Sequence, residues 1–184
     1  MIEKIDTCYG QIDGAIFAKL KQVELVIFDV DGTLTEGGVY FDDKDGEYKK
    51  FYTKDGFGIR ALIKSGIKAT AITGRDSNLT TRRMKELNID YFMQGQKDKS
   101  VALKKLCQDL NVKPENIAAI GDDLNDLPLF KEVGFCACPQ DAHPYIQKIS
   151  DLVLHRKGGY GAGRELCDLI MMAHSTLNTD GGPK

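Results

Sequence analysis

Residues 23–35 read Val-Glu-Leu-Val-Ile-Phe-Asp-Val-Asp-Gly-Thr-Leu-Thr. The run from Val23 to Val30 is apolar and nearly uninterrupted, and it ends in acidic residues and a glycine. That is the pattern of a parallel strand covered on both faces, and it predicts the central strand of a sheet. Residues i and i+2 of a strand point the same way, so Asp29 and Asp31 leave its carboxyl end together, and a bend at Gly32 would let them converge. Two carboxylates that close are unfavourable unless a cation or a proton lies between them.

Outward from this strand the chain alternates. Residues 37–52 carry Val39, Phe41, Tyr48 and Phe51 around an Asp45-Gly46 turn signal, which predicts a projecting β-hairpin. A helical pattern follows Asp55-Gly56, then a strand over 68–72, a loop over 73–77 and a helix to about Leu87. A strand near Tyr91, a helix over 98–110, a strand over 117–120 and shorter strands near Phe135 and Leu152 complete the series. The alternation predicts an α/β fold: a doubly wound, Rossmann-like parallel sheet with helices on both faces, whose ligands bind outside the carboxyl ends of the strands.

With 184 residues, 42% of them hydrophobic, the chain can bury one core without disulfides, so 1–184 reads as a single domain, with 178–184 as a flexible tail. Lys and Arg total 25 against 27 Asp and Glu, which excludes the broad basic surface of a nucleic-acid binder. Five cysteines without a Cys-x-x-Cys pair fit reduced thiols, with Cys136 and Cys138 in a core strand. No apolar run is long enough for a membrane span, and no basic-then-apolar leader is readable, so the expected location is cytoplasmic.

A second acidic cluster, Gly121-Asp122-Asp123-Leu124-Asn125-Asp126, follows the strand at 117–120, and Thr73-Gly74-Arg75 follows a third strand. One Asp-rich loop alone reads equally well as a turn or a helix cap. Several carboxylates gathered at one sheet edge call for a hard cation bound through oxygen, which favours Mg²⁺ over zinc. Thr73 offers a hydroxyl, and Gly74 an N–H at the expected start of a helix, where phosphate is electrostatically welcome. Lys99 is either a cationic donor to that site or a solvated lysine. His143, His155 and His174 lack metal-ligand spacing, and no zinc site is expected.

In order and position these segments resemble the four motifs of the haloacid dehalogenase superfamily: Asp29-x-Asp31-Gly32-Thr33, Thr73, Lys99, and Gly121-Asp122-Asp123 with Asp126. The resemblance implies Asp29 as a nucleophile that forms an aspartyl-phosphate, and an aspartate two residues later marks its phosphatases. It implies Asp31 as general acid, then base, with Thr73, Gly74 and Lys99 stabilising the transferring phosphate. The metal ligands it implies are Asp29, Asp31 through its backbone carbonyl, and Asp122, with Asp123 and Asp126 auxiliary. To donate a proton at neutral pH, Asp31 would need a pKa raised by roughly 3 units, about 4 kcal/mol, through burial and the nearness of Asp29.

Only a hairpin separates the first motif from the next helix, and 25 residues separate Thr73 from Lys99, which leaves no room for a cap domain. Because phosphoryl transfer benefits from water exclusion, a neighbouring subunit is expected to close each site, with the hairpin in the interface. The chain is similar to the capless branch of the family, whose members dephosphorylate sugar-acid phosphates as homotetramers. That implies a substrate site of Asp31, Tyr52, Thr53, Lys54, Asp55, Gly56, Arg60, Gly74, Arg75, Arg83, Lys99 and Asn125. Arginine suits a substrate bearing both carboxylate and phosphate, although Lys54 stands where the branch usually has arginine. Taken singly, each arginine also reads as a solvated helix residue, and Arg82 is read as one. An eight-carbon sugar acid is the first substrate reading. Nine-carbon acids are second, because those relatives tend to carry Ser-Glu-Arg at 73–75, and a non-catalytic oligomerisation module is third. The segment Gly158-Gly159-Tyr160-Gly161-Ala162-Gly163 is either a mobile piece that visits a neighbouring site or a helix-entry loop.

Overall fold

The structure is a computed structural model that describes residues 3–44, 46–178 and 182–183. In chain order the elements are β1 (Lys4–Thr7), β2 (Gly10–Asp13), α1 (Gly14–Leu20), β3 (Leu25–Phe28), β4 (Tyr40–Phe41) and β5 (Glu47–Tyr48). Then come α2 (Thr53–Lys64), β6 (Lys68–Ala71), α3 (Asn78–Glu86), α4 (Lys99–Leu110), β7 (Ile117–Ile120) and α5 (Leu127–Phe130). The last are β8 (Phe135–Cys138), α6 (Pro144–Ile149), β9 (Leu152–Val153), α7 (Ala162–Ala173), β10 (Leu177–Asn178) and β11 (Gly182–Pro183).

Five strands form the parallel sheet, in the order β6-β3-β7-β8-β9. Its two faces are built by alternation. Val26, Phe28, Ala118, Ile120 and Ala137 pack with Leu62 of α2 and Leu166 and Ile170 of α7. Leu25, Ile27, Ala119, Cys136 and Cys138 pack with Leu103 and Leu106 of α4, Leu129 of α5 and Ile146 of α6. Each large apolar side chain buried in this way stabilises the fold by about 1.5–3 kcal/mol, which explains why β3 carries no polar residue before Asp29.

The structure departs from the sequence pattern at four places. β3 lies inside the sheet but next to its edge, and the middle strand is β7. The region near Tyr91 forms no strand, only a single parallel bridge between Met93 and Ile72. The helix after the loop at 73–77 starts at Asn78, as the pattern predicts, with the Ser77 hydroxyl accepting the Leu79 N–H, but this leaves Gly74 four residues short of it. Gly74 therefore lies in a bend before the helix and not at its N-terminus. The fourth is an addition: β1, β2 and α1 at the N-terminus formed no part of the expected pattern.

The hairpin at 37–52 is present, with Tyr40 paired to Tyr48 and Phe41 to Glu47. Past Asn178 the expected free tail lies largely outside the described residues, and Gly182–Pro183 pair with Leu177–Asn178. Among the described residues no helix is long and apolar enough to cross a membrane.

Candidate active site

The carboxyl ends of β3 and β7 are adjacent in the parallel sheet, and both acidic loops open there. Asp29 follows β3 directly, and its N–H donates to the Ile120 carbonyl at 2.9 Å, so the loop starts in register with its neighbour. Carboxylate oxygens of Asp29, Asp122 and Asp126 lie within 4.8 Å of one another. Gly32 turns the chain with φ +96°, and a Cβ there would run into the Asp122 carboxylate. Glycine thus permits both the turn and the approach of the second cluster.

Lys99 begins α4, after Asp98 has capped that helix by accepting the Ser100 N–H. It is no solvated lysine: its side chain is 1% exposed, and its ammonium donates to Asp29 and to Asp126, each at 2.5 Å. Burial pulls the Lys99 pKa down, but Asp29 and Asp126 outweigh it and hold the ammonium charged. Burial, then the charge of Asp126, pushes the Asp29 carboxyl up against the opposing pull of Lys99. The same two causes raise Asp122 to about 7. When fully ionised, the three carboxylates against one ammonium leave two negative charges, and every donor is oxygen. This set fits a hard divalent cation such as Mg²⁺.

Asp126 is more central than its auxiliary place in the motif implies. It is fully buried, and it accepts the N–H groups of Asp122 and Asp123 as well as Lys99, so one side chain fixes both the loop and the cation. Asp123 is exposed and caps the turn at 124–126, and Asn125 is exposed on that turn. Thr33 donates its hydroxyl to Asp122 at 3.3 Å. Thr73 is buried, with its N–H on the Met93 carbonyl, whereas Gly74 is exposed.

Asp31 stands differently from the expectation. Its side chain is 25% exposed, and one oxygen is 2.6 Å from the ammonium of Lys49, a residue the motifs did not single out. On the same arm of the hairpin Glu47 accepts from Arg75 and from the Ser77 hydroxyl, both at 2.9 Å. This arm lies on the catalytic loops of its own chain instead of projecting freely.

The substrate residues expected on α2 divide. Thr53 and Lys54 are exposed, and Tyr52 and Lys54 line a cavity of about 280 Å³ with Arg156 and Arg164. Asp55 is buried and committed elsewhere, since one of its oxygens accepts the Arg164 N–H at 2.7 Å and so caps α7, whose own N-cap is Gly161. Its other oxygen is buried without a hydrogen-bond partner among the described residues, and burial raises its pKa to about 6. Gly56 is buried beside Arg83, and Arg60 is exposed. Arg83 donates to the Tyr52 carbonyl and pairs with Glu86. A further cavity of about 280 Å³ is lined by Lys49, Phe51, Leu79, Arg82, Arg83 and Glu86, and Arg82 is exposed at its rim, as a solvated helix residue would be. The Gly-rich segment backs the first motif: the Gly159 N–H donates to the Thr33 carbonyl, and a Cβ on Gly158 would strike the Gly32 carbonyl.

An aspartate pair at a strand end, a buried lysine bridging to a second acidic loop, and no inserted domain between these motifs among the described residues define a capless haloacid dehalogenase-like hydrolase. The sequence pattern of the haloacid dehalogenase-like hydrolases matches residues 92–161. The 3-deoxy-D-manno-octulosonate 8-phosphate phosphatase KdsC of Salmonella typhi is 40% identical over 172 residues, covering 94% of this chain and 92% of that protein. The chain belongs to the 3-deoxy-D-manno-octulosonate 8-phosphate phosphatase family. The crystal structure of that phosphatase from Yersinia pestis superposes with a TM-score of 0.96 at 40% identity, covering 100% of this chain and 98% of the other. The Moraxella catarrhalis enzyme, solved with magnesium ion, phosphate ion and KDO, gives 0.85 at 41% identity, covering 87% and 92%.

Proposed function

We propose that this chain is a Mg²⁺-dependent phosphatase that hydrolyses 3-deoxy-D-manno-octulosonate 8-phosphate to the free sugar acid and phosphate. The observation that carries the reading is the buried Asp29–Lys99–Asp126 ion cluster at the mouth of the sheet, in a chain 40% identical to such phosphatases over nearly its full length.

In the first step an oxygen of Asp29 bonds to phosphorus, the bond from phosphorus to the sugar oxygen breaks, and Asp31 gives that oxygen a proton. In the second, water attacks phosphorus, Asp31 takes its proton, and Asp29 leaves. Lys99, Thr73 and the Gly74 N–H carry charge on the transferring group. Held by Asp29, Asp122 and the Asp31 carbonyl, Mg²⁺ supplies further positive charge to the phosphoryl oxygens. Asp126 orients Lys99. Tyr52, Thr53, Lys54, Gly56, Arg60, Arg75, Arg83 and Asn125 take the sugar acid, and the burial of Asp55 supports a positioning part for it.

The working form is a homo-oligomer, a tetramer by resemblance to the branch, in the cytoplasm. Its support is the hairpin, along which Val39, Tyr40, Phe41 and Tyr48 stand exposed. Five free cysteines support a reducing compartment. Phosphate release, with Mg²⁺ and with EDTA, from the eight-carbon substrate beside 9-phosphorylated nonulosonic acids tests the reading. Metal-dependent preference for the eight-carbon acid is expected. Preference for the nine-carbon acids would overturn the substrate, and release from neither would overturn the enzyme.

A further inference from the structure

We infer that Lys49 is a positioning residue for the proton transfer: its ammonium donates to one oxygen of the Asp31 carboxyl, so that the other oxygen, which carries the proton, faces the leaving group. This rests on the reading of Asp31 as general acid. Lysine is seldom removed from water unless it is paired, yet the Lys49 side chain is 3% exposed and lies 2.6 Å from Asp31 Oδ1. Asp31 Oδ2 is buried and has no hydrogen-bond partner among the described residues. One oxygen is thus committed to an ammonium and the other is available.

What fixes Lys49 is the hairpin arm on either side of it. Two residues before, Glu47 is held by Arg75 and Ser77, so Glu47 and Lys49 both reach the loops at the carboxyl ends of the strands. Two residues after, Phe51 bridges to Thr35 in the loop that follows Asp31. Beside it, Lys50 pairs with Glu36 at 2.8 Å. The ammonium is therefore strung between two anchors, both on loops that carry the chemistry, and its position is set before substrate arrives. A carboxylate left to rotate would lose much of the benefit of proximity.

The quantity to measure is kcat/KM, which reports the step in which the leaving group departs. It is measured on the sugar-acid phosphate and on aryl phosphates from phenyl to p-nitrophenyl, for Lys49→Met, Lys49→Arg and Asp31→Asn. A poor leaving group needs the proton and p-nitrophenolate does not. For Lys49→Met a loss of about 10- to 100-fold is expected on the sugar-acid phosphate, shrinking along the aryl series to about 3-fold or less on p-nitrophenyl phosphate. Lys49→Arg should recover a large part of the loss, and retained p-nitrophenyl turnover reports a folded site. Equal losses on every substrate, or none, would overturn the inference while Asp31→Asn still discriminates between leaving groups. If Asp31→Asn does not discriminate, the acid reading itself falls and takes the inference with it.

Discussion

The ammonium of Lys99 lies 2.5 Å from a carboxylate oxygen of Asp29, although the two residues are 70 positions apart and come from a helix start and a strand end. Both are withdrawn from water, and each offsets part of the cost of burying the other's charge. The same ammonium reaches Asp126, which makes Lys99 the link between the two acidic loops.

Lys99→Met should therefore act on stability as well as on turnover. Breaking a buried pair by removing one partner costs about 3–5 kcal/mol, because uncompensated charge stays behind. Thermal melting with and without Mg²⁺ checks this: a clear drop in Tm that the metal partly reverses is expected.

Asp29→Asn should abolish turnover, a loss of about 10³-fold or more for a covalent nucleophile, while assembly is kept. Phosphate release and light scattering on the same sample separate the two. Normal turnover would exclude Asp29 as nucleophile.

The raised carboxyls predict an inverted pH response. Asp122 stands near 7 and Asp55 near 6 in the fold, against about 3.9 in an unfolded chain. The folded state thus holds more protons between these values, so metal-free stability falls as pH rises from about 4 to about 7. Tm without metal should be higher at pH 5 than at pH 7.5, and Mg²⁺ should raise it mainly at pH 7.5. Because protons compete for the same oxygens, the Mg²⁺ concentration that half-saturates turnover should climb as pH drops below about 7.

Gly32→Ala places a methyl group against the Asp122 carboxylate at a φ of +96°, where an L side chain is strained. A stability loss of about 1 kcal/mol or more from backbone strain is expected, together with weaker Mg²⁺ dependence, read from melting and from metal titration of activity.

Asp55→Ala separates capping from substrate binding. Loss of the contact to the Arg164 N–H should cost about 0.5–2 kcal/mol, as for other helix caps. KM for the sugar-acid phosphate should change little if the carboxylate only positions α7. A large rise in KM would make it a substrate ligand.

The strand ends were the legible part of this site. Asp29 and Asp122 follow runs so apolar that only a strand buried on both faces explains them, and parallel strands place their ends together. Lys99 was half legible: its place at a helix start could be read, but its burial could not, since lysine at such a place is usually solvated. Lys49 was hidden in a polar stretch where Lys44, Glu47, Lys49 and Lys50 look alike, and only the register of the hairpin separates inward from outward charges. The N-terminal elements were missed because β1 and β2 are four residues each and mostly exposed or half-exposed, with no apolar alternation to mark them.

The period of two along the hairpin arm has an evolutionary consequence. Residues added or deleted between Phe41 and Glu47 change only the tip, so that stretch is free to drift and to match a new neighbour. A single insertion between Glu47 and Phe51 instead reverses parity and would turn Tyr48, now 58% exposed, toward the catalytic loops in place of a charge. Lineages of this fold should thus tolerate length variation on one side of Glu47 and reject it on the other.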